Sequence, residues 1–425
     1  MSSSWITNVS IVDVRAGVSA GPNHVCLRDN SIADISRSLP QDANILLDGS
    51  GKWLAPGLID GHVHLFLAAD AQPLPTFLAS SDEQKFATAV RNAATAIRAG
   101  ITTVRDCGGP SAMVRAFREG PAQGDNSPHL VASGSPLTRP NGHCHFMGIA
   151  VASRADVRTA ALELFADENE FLKIMASGGG LTPGTRPADA DFPFDLMREA
   201  VAIAHAHGKF VAAHCHATES ILRSVHAGVD VIEHASFVDP EGRHHFVHSI
   251  CEEIRDHGIA VCPTISGALR SADAFTKNGP ANNLDVGAVA RLRGRLTNAE
   301  HFHHLGVKLI AGTDCGITRT PFDSLVDELL AHRQAGMSTA AALRSATSDS
   351  AEYLRMGKIG EVRIGFRADL ILLAGDPLEN LEALRTPEAV VKSGKVVFSR
   401  VDANRDVDRS WAGEPRDGAA ANSRV

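Results

Sequence analysis

The sequence predicts an α/β fold: a (β/α)8 TIM barrel with a small β-sandwich domain that is built from both chain ends. Three observations support this prediction. Eight short, nearly continuous apolar segments follow one another from residue 58, and amphipathic segments lie between most of them. Turn-punctuated, β-rich segments precede and follow this alternating region. The chain of 425 residues is also long enough to bury the core of a barrel, which takes about 250 residues.

Residues 1–56 are predicted to form the first part of the sandwich. Their β-rich runs WITNVSIVDV, HVCLRDNSIADIS and NILLDGSGKWLAPG are separated by turns, and glycine and proline mark the end of the region. A piece of this size cannot bury a face alone. We therefore expect it to pair with residues 359–401, where ADLILLAGDP and AVVKSGKVVFSR indicate strands with a turn at Ser393-Gly394.

Residues 57–358 are predicted to form the barrel, because buried parallel strands that alternate with helices are typical of that fold. The eight strands are predicted at residues 58–66, 101–109, 129–135, 171–179, 209–217, 230–237, 259–266 and 308–316. Helical periodicity is clearest at residues 82–100, 194–208 and 320–336. The polar residues 402–425 show no apolar period, and we expect a loosely ordered tail there.

The composition is that of a globular enzyme and argues against several other classes. Hydrophobic residues make up 44% of the chain, but no stretch reaches the roughly 18 apolar residues of a membrane span. A net charge of −8 offers no basic excess for nucleic acid. The seven cysteines show no CxxC spacing, and the first residues do not resemble a secretory signal. These features favour a cytoplasmic protein with free thiols.

Two histidines near the end of the first predicted barrel strand indicate a metal site. His62 and His64 are separated by one residue, so a strand sends both imidazoles to the same side, toward the barrel axis. The carboxyl ends of the strands form the active-site face of such a barrel. A single histidine in this place would most often be structural, whereas two with this spacing can chelate a metal.

Further residues of the ligand type fall on later strands: Lys173, His214, His234 and Asp314. Lysine is almost never fully buried unless it is paired, yet Lys173 stands inside the apolar run FLKIM. It either extends its amine to solvent from a strand edge or is neutral and adds CO₂ to become a carbamate that reaches two metals. The nitrogen and oxygen donors favour divalent ions, Zn²⁺ first, with Mn²⁺ or Fe²⁺ as alternatives.

These segments resemble the amidohydrolase superfamily at the corresponding strands: GLIDGHVHL, FLKIMASGG, VAAHCHA, DVIEHASF and AGTDCG. The flanking IVDVRAG and GKIGEVRIGFRADLILLAGDPLENL resemble its split sandwich domain. The strand 4 lysine followed by ASGG, together with GHCHFMG and LTPGTRP, is similar to the imidazolonepropionase-related branch. That branch includes prolidase-like dipeptidases that act on Xaa-Pro, Xaa-Arg or Xaa-Lys, and enzymes similar to ochratoxinase.

The resemblance implies a binuclear zinc site. The two ions would be bound by His62, His64 and Asp314 at the more buried position and by His214 and His234 at the more exposed one. Lys173, carboxylated by CO₂, would bridge both ions together with a hydroxide. The implied reaction is cleavage of an amide C–N bond, in a dipeptide or an N-acyl amino acid, by attack of that hydroxide.

Other residues near the predicted strand ends have less certain roles. Asp314 can take a proton from the attacking hydroxide and deliver it to the leaving nitrogen. His143 and His145 follow strand 3, and they either cap their loop or face the substrate, with His143 as a donor to the developing oxyanion. His216 either contacts substrate or orients a ligand. Arg186, in a loop rich in glycine and proline, either pairs with a substrate carboxylate or is a surface arginine.

The favoured interpretation is a cytoplasmic, metal-dependent amide hydrolase that acts on a small molecule and assembles as a homo-oligomer. A deaminase on the same scaffold is argued against by Lys173, because such deaminases usually lack this lysine. Ring opening of imidazolones or hydantoins and a phosphotriesterase-like activity remain alternatives. A non-catalytic scaffold protein would be marked by lost ligands, and all six are present.

Overall fold

The computed structural model describes residues 3–120, 122, 124–278 and 287–400. The tail predicted at 402–425 lies outside these described residues. Within them, no helix is both long and apolar enough to cross a bilayer.

One seven-stranded sheet contains strands from both chain ends. These strands are β1 (Ser4–Asp13), β2 (Val18–Arg28), β3 (Ser31–Ser36), β4 (Ile45–Pro56), β15 (Leu370–Leu373), β16 (Ala389–Lys392) and β17 (Lys395–Ser399). Their order is β17-β16-β15-β4-β1-β2-β3, and the antiparallel pair of β4 and β15 joins the two chain ends. The expected pairing is therefore present. The division into a separate sandwich domain, with boundaries at residues 56 and 359, stays a prediction.

All eight predicted barrel segments contain a strand. These are β5 (Leu58–Val63), β6 (Ile101–Asp106), β7 (His129–Ala132), β10 (Phe171–Met175), β11 (Phe210–Ala217), β12 (Val231–Val238), β13 (Ala260–Cys262) and β14 (Lys308–Leu309). Two further strands, β8 (Leu137–Thr138) and β9 (Ile149–Ala150), were not predicted because two residues carry no periodic pattern. The strands form parallel sheets with the orders β5-β6-β7 and β14-β13-β12-β11-β10-β8-β9.

The two parallel sheets meet where β5 runs beside the residues that follow β14. The Gly61 amide donates to the Ala311 carbonyl at 2.9 Å, and the Asp314 amide donates to the His62 carbonyl at 2.7 Å. A side chain at position 61 would place its Cβ 2.8 Å from the Ala311 oxygen, so glycine permits this close approach. The protein is thus α/β with parallel strands, in line with a barrel-like fold. A closed eight-stranded barrel stays a prediction.

Helices occupy most of the connections between the strands. They are α1 (Pro73–Ala79), α2 (Asp82–Arg98), α3 (Ser111–Glu119), α4 (Arg154–Ala166), α5 (Phe194–Ala206), α6 (Thr218–Ala227), α7 (His248–Asp256), α8 (Ile265–Asn278), α9 (Ala288–His304), α10 (Leu325–Gln334), α11 (Thr339–Ser345) and α12 (Ser348–Tyr353). A 3₁₀ helix covers Leu381–Arg385. The helix predicted at 320–336 begins only at Leu325, because a turn at residues 322–324 precedes it.

Parallel strands covered on both faces bury nearly all of their residues. Strands β5, β6, β10 and β12 are buried at every position. Polar side chains on these strands therefore need partners inside the protein. The strand ends at which such side chains gather form the candidate active site.

Candidate active site

The six predicted metal ligands lie together at the carboxyl ends of five parallel strands. They are His62 on β5, His64 directly after β5, Lys173 on β10, His214 on β11, His234 on β12 and Asp314 after β14. All six side chains are buried. Neighbouring members are close, since the His62 ring centroid lies 5.3 Å from both the His64 and the His234 centroids. The convergence expected from the sequence is therefore present.

His62, His64 and Asp314 point toward a common centre. Nε2 of His62 and Nε2 of His64 lie 3.4 and 3.3 Å from the same oxygen, Oδ1 of Asp314. The other nitrogen of each imidazole also has a partner. Nδ1 of His64 lies 3.0 Å from the Gly108 carbonyl, and Nδ1 of His62 lies 2.9 Å from Glu233 Oε2. Burial alone would raise the pKa of Asp314, but the two histidines hold it well below its usual range. Asp314 is thus a carboxylate at neutral pH.

The histidines of β11 and β12 form a second group. Nε2 of His234 lies 2.9 Å from Nδ1 of His214, and the ring of His216 stacks on His234 with centroids 4.5 Å apart. One nitrogen from each of the three lies within 4.8 Å of the other two, which suits a shared ion. Burial lowers the pKa of each ring well below its ordinary value, and the neighbouring cationic groups lower it further. Neutral imidazoles are the form that binds metals.

His216 is placed more closely than the sequence suggested. Its Nδ1 lies 2.8 Å from Ser236 Oγ, so one ring nitrogen is held while the other is free to face the group of His214 and His234. A role as a ligand or as a substrate contact is compatible with this position. Its assignment to substrate binding stays a prediction.

Lys173 is unusual because its amine is buried without a hydrogen-bond partner in the described structure. It is 1% exposed, and within the described part of the chain its Nζ has no hydrogen-bond partner. The nearest carboxylate oxygen, Oε1 of Glu233, is 3.9 Å away. A buried amine without a partner costs free energy, so this position fits a group that completes its contacts. The histidine and carboxylate groups on the neighbouring strand ends form donor sets that fit divalent metal ions.

Glu233 and Arg105 belong to the same site, although the sequence analysis did not single them out. Arg105 Nη2 donates to Glu233 Oε1 at 2.7 Å, and both side chains are 0% exposed. Glu233 thereby connects Arg105 to His62 and stands beside Lys173. Burial opposes ionisation, but Arg105 and Lys173 hold the pKa of Glu233 well below its usual range. A charged residue inside the apolar run DVIEHASF was the available signal, and it is the same signal that identified Lys173.

Two of the predicted ligands have backbones in the left-handed region, which non-glycine residues rarely adopt. The φ angles are 67° at His234 and 60° at Asp314, and Thr264, whose Oγ1 lies 2.7 Å from His234 Nδ1, has a φ of 50°. Each such conformation costs about 1–3 kcal/mol and persists only where the surrounding structure holds it. Other non-glycine residues of the chain share this region, including Ala235 and Phe237 on β12, so the angles accompany the site but do not by themselves identify it.

His143 joins the site from the loop after β8. Its ring centroid lies 4.6 Å from that of His214, and burial lowers its pKa to about 4. A Cβ at Gly179 would lie 2.4 Å from the His143 ring, so glycine makes room for this imidazole. The placement supports a neutral His143 that faces the reacting groups. Its part in catalysis and substrate binding stays a prediction.

The remaining two predicted substrate contacts lie outside the group. Nδ1 of His145 lies 3.0 Å from the Gly142 carbonyl, which fits the alternative that it caps its loop. Arg186 pairs with Asp189 at 2.7 Å, and its side chain is 68% exposed. This exposure and ion pair favour the surface interpretation of Arg186. The substrate-binding roles of both residues remain predictions.

Comparisons with known proteins agree with this geometry. A model of the amidohydrolase family matches residues 53–397. Ochratoxinase from Aspergillus niger is 26% identical over 377 residues, which cover 81% of this chain and 75% of the relative. Imidazolonepropionase from Salinispora arenicola is 25% identical over 416 residues, covering 88% and 92%. The crystal structure of a prolidase complexed with N-methylphosphonate-L-proline superposes with a TM-score of 0.81 at 26% identity, covering 94% of this chain and 100% of that chain.

Proposed function

The chain belongs to the amidohydrolase family and is a hydrolase that acts on carbon–nitrogen bonds, and from this premise we propose that it cleaves small amides with two bound metal ions. The proposed substrates are dipeptides or N-acyl amino acids. The observation that carries the proposal is Lys173, a buried amine without a hydrogen-bond partner in the described structure, among histidine and aspartate donors. The prolidase and ochratoxinase relatives support the amide as the bond that is cleaved.

We propose that His62, His64 and Asp314 hold one ion and that His214 and His234 hold the other, with Lys173 carboxylated by CO₂ between them. Zinc is the first choice, because imidazole and carboxylate donors suit it. When bound, such ions polarise the amide carbonyl and make water reactive at neutral pH. The backing of His62 by Glu233 and of His64 by the Gly108 carbonyl fixes the orientation of both rings.

Two residues of the chain perform the proton and hydrogen-bond steps. Asp314, ionised because His62 and His64 lower its pKa, accepts a proton from the attacking water and delivers it to the leaving nitrogen. This step matters because an amide nitrogen leaves poorly as an anion. His143, which burial keeps neutral, carries one N–H that can donate to the oxyanion as it develops.

The test is a screen of the zinc-loaded protein on N-acyl amino acids, dipeptides, lactams, hydantoins and phosphotriesters. Hydrolysis of the open-chain amides with the highest kcat/KM supports the proposal. The similarity to imidazolonepropionase makes a ring hydrolase the second candidate, and it is favoured if the lactams or hydantoins are cleaved fastest. Cleavage of phosphotriesters alone contradicts the amide assignment. Homo-oligomer formation and a cytoplasmic location stay predictions from the sequence.

A further inference from the structure

Helix α9 brings an arginine to the active site that the strand pattern does not reveal. Asn298 on this helix is buried, and its Nδ2 donates to the carbonyls of Ala235 and Ser236, both at 3.2 Å. These two carbonyls belong to β12, directly after His234. Arg295 lies three residues before Asn298 and therefore on the same face of the helix. The contacts of Asn298 thus aim Arg295 at the strand ends.

The guanidinium of Arg295 is linked to the predicted metal ligands through one residue. Its Nη1 donates to Thr264 Oγ1 at 2.9 Å and also to the Thr264 carbonyl. Thr264 Oγ1 in turn lies 2.7 Å from Nδ1 of His234. A guanidinium carries five N–H donors, and both of these contacts use Nη1. In the described residues, Nε and Nη2 donate to no protein acceptor, so the fork of the side chain has donors to offer a ligand.

The electrostatic surroundings of Arg295 differ from those of other arginines near the site. Arg105, Arg139 and Arg186 each pair with a carboxylate, at 2.7, 2.6 and 2.7 Å. Among the residues that the structure describes, Arg295 has no carboxylate at ion-pair distance. Its cationic side chain is half-buried, and the carboxylates that favour its charge, Asp314 and Glu328, are not in direct contact with it.

The titratable groups that interact with Arg295 include three imidazoles, two carboxylates and a guanidinium: His216, His234, His244, Asp314, Glu328 and Arg291. Burial lowers the pKa of His216 and of His244, and Arg295 lowers both further. These rings are therefore neutral and do not compensate the charge. Burial lowers the pKa of Arg295, whereas Asp314 and Glu328 favour its charged form. Asp314 is paired with His62 and His64, so in the described residues no carboxylate is left in direct contact with the Arg295 guanidinium.

We propose that Arg295 binds a carboxylate of the substrate and selects amides that carry one. This inference rests on the proposed function and adds the residue that distinguishes a dipeptide or an N-acyl amino acid from a neutral amide. A guanidinium can hold a carboxylate with two parallel hydrogen bonds, which fixes the orientation of the ligand as well as its position. Arg295 thereby takes the role that the sequence analysis gave to Arg186, whose side chain is exposed and paired with Asp189.

The kinetic test compares variants on two matched substrates: the N-acyl amino acid that the screen finds to be hydrolysed fastest, and its carboxamide. Arg295→Met should lower kcat/KM for the carboxylate substrate by about 10- to 150-fold, mainly through KM, because the contact is present before the reaction. The carboxamide should change less than about threefold. Arg295→Lys should recover part of the loss, since it keeps the charge but not the fork.

Arg293→Met is the matched control, because Arg293 is exposed on the same helix and should leave both substrates unchanged. Equal losses of Arg295→Met on both substrates, or no loss on either, would overturn the inference. A loss of kcat/KM confined to the carboxylate substrate in Arg186→Met, and absent in Arg295→Met, would also overturn it and assign the role to Arg186.

A binding measurement separates this inference from the proposed function. Calorimetric titration of the zinc-loaded protein with N-acetyl-L-leucine and N-acetyl-L-leucinamide should show binding of the carboxylate at least about tenfold tighter, and Arg295→Met should abolish the difference. Wild-type protein that does not distinguish the two compounds contradicts the inference. If the screen finds no amide hydrolysis, the proposed function fails, but the titration still decides whether Arg295 recognises a carboxylate.

Discussion

The two ends of the parallel strands carry polar regions that differ in whether their charged groups have partners. At the amino ends, a cavity of about 390 Å³ is lined by Lys209, Arg355 and Arg367 among other residues. Arg355 pairs with Asp230 at 2.8 Å, and Arg367 pairs with Asp369. At the carboxyl ends, the structure leaves Lys173 without a hydrogen-bond partner in its described part.

A cavity lined by charged groups therefore does not by itself indicate a functional site, whereas a buried polar group without a partner does. The amino-end arginines keep much of their contact with water, and Arg355 is 59% exposed, so their ion pairs need no ligand. The Lys173 amine has lost contact with water without gaining a hydrogen-bond partner in the described structure, and the half-buried Arg295 has no carboxylate in direct contact. Groups in that condition favour a bound ligand, whether metal, carbamate or carboxylate. Substitutions at the two ends should therefore differ strongly in their effects.

Lys173→Ala should have the largest effect. We expect loss of nearly all hydrolytic activity and of at least one metal ion, because no side chain then reaches between the two groups of histidines. A short carboxylic acid added to the solution should restore part of the activity by occupying the vacated space. Assays with and without added acetate or propionate measure this. Full activity together with two bound metals would remove the bridging role.

Asp314→Asn should keep much of the fold but lower kcat by several orders of magnitude, since the amide cannot carry the proton that the carboxylate accepts. The measurement is kcat at saturating substrate, with the melting temperature as a check on folding. A near-normal kcat would show that another group moves the proton.

Glu233→Gln should weaken both the fold and the metal site. Arg105 would keep its charge in a fully buried place without a counterion, which costs about 3–5 kcal/mol of unfolding free energy. The looser support of His62 should reduce metal affinity by roughly 10- to 100-fold. Denaturant unfolding of the metal-free protein and competition with a zinc chelator measure the two effects. Unchanged stability and affinity would mean that the network is not needed.

Arg355→Met at the opposite end is the matched control for Glu233→Gln. Its ion pair with Asp230 is largely exposed, so the unfolding free energy should change by no more than about 1 kcal/mol. Both kcat and KM should stay at the wild-type values. A large loss of activity in this variant would contradict the division between a structural and a functional end.

The sequence predicted this architecture where local pattern carries the information. Apolar runs bounded by turns identified eight of the ten strands in the described parallel sheets, and the spacing of His62 and His64 predicted that both rings share one side. Strands β8 and β9 were missed, because pairing with neighbours and not their own two residues defines them.

The parts of the site that depend on tertiary contacts were harder to predict. Glu233 and Arg105 meet across 128 residues, and nothing in either segment shows the partner. The sequence drew attention to Arg186 and not to Arg295, because loop composition is visible in a sequence, whereas the orientation of α9 depends on the contacts of Asn298 with the carbonyls of β12. Glu233 and Arg105 were nonetheless charged residues inside apolar runs, which is a usable signal.

The proposed function depends on whether the residues gathered at the carboxyl ends of the strands bind two metal ions. The most direct measurement is the metal content of wild-type protein and Lys173→Ala, each stripped with chelator, reloaded with Zn²⁺ and freed of unbound ions by gel filtration. We expect two zinc ions per chain in the wild type and fewer in Lys173→Ala. A wild-type protein that retains no zinc, or a variant that still binds two ions, would contradict this expectation.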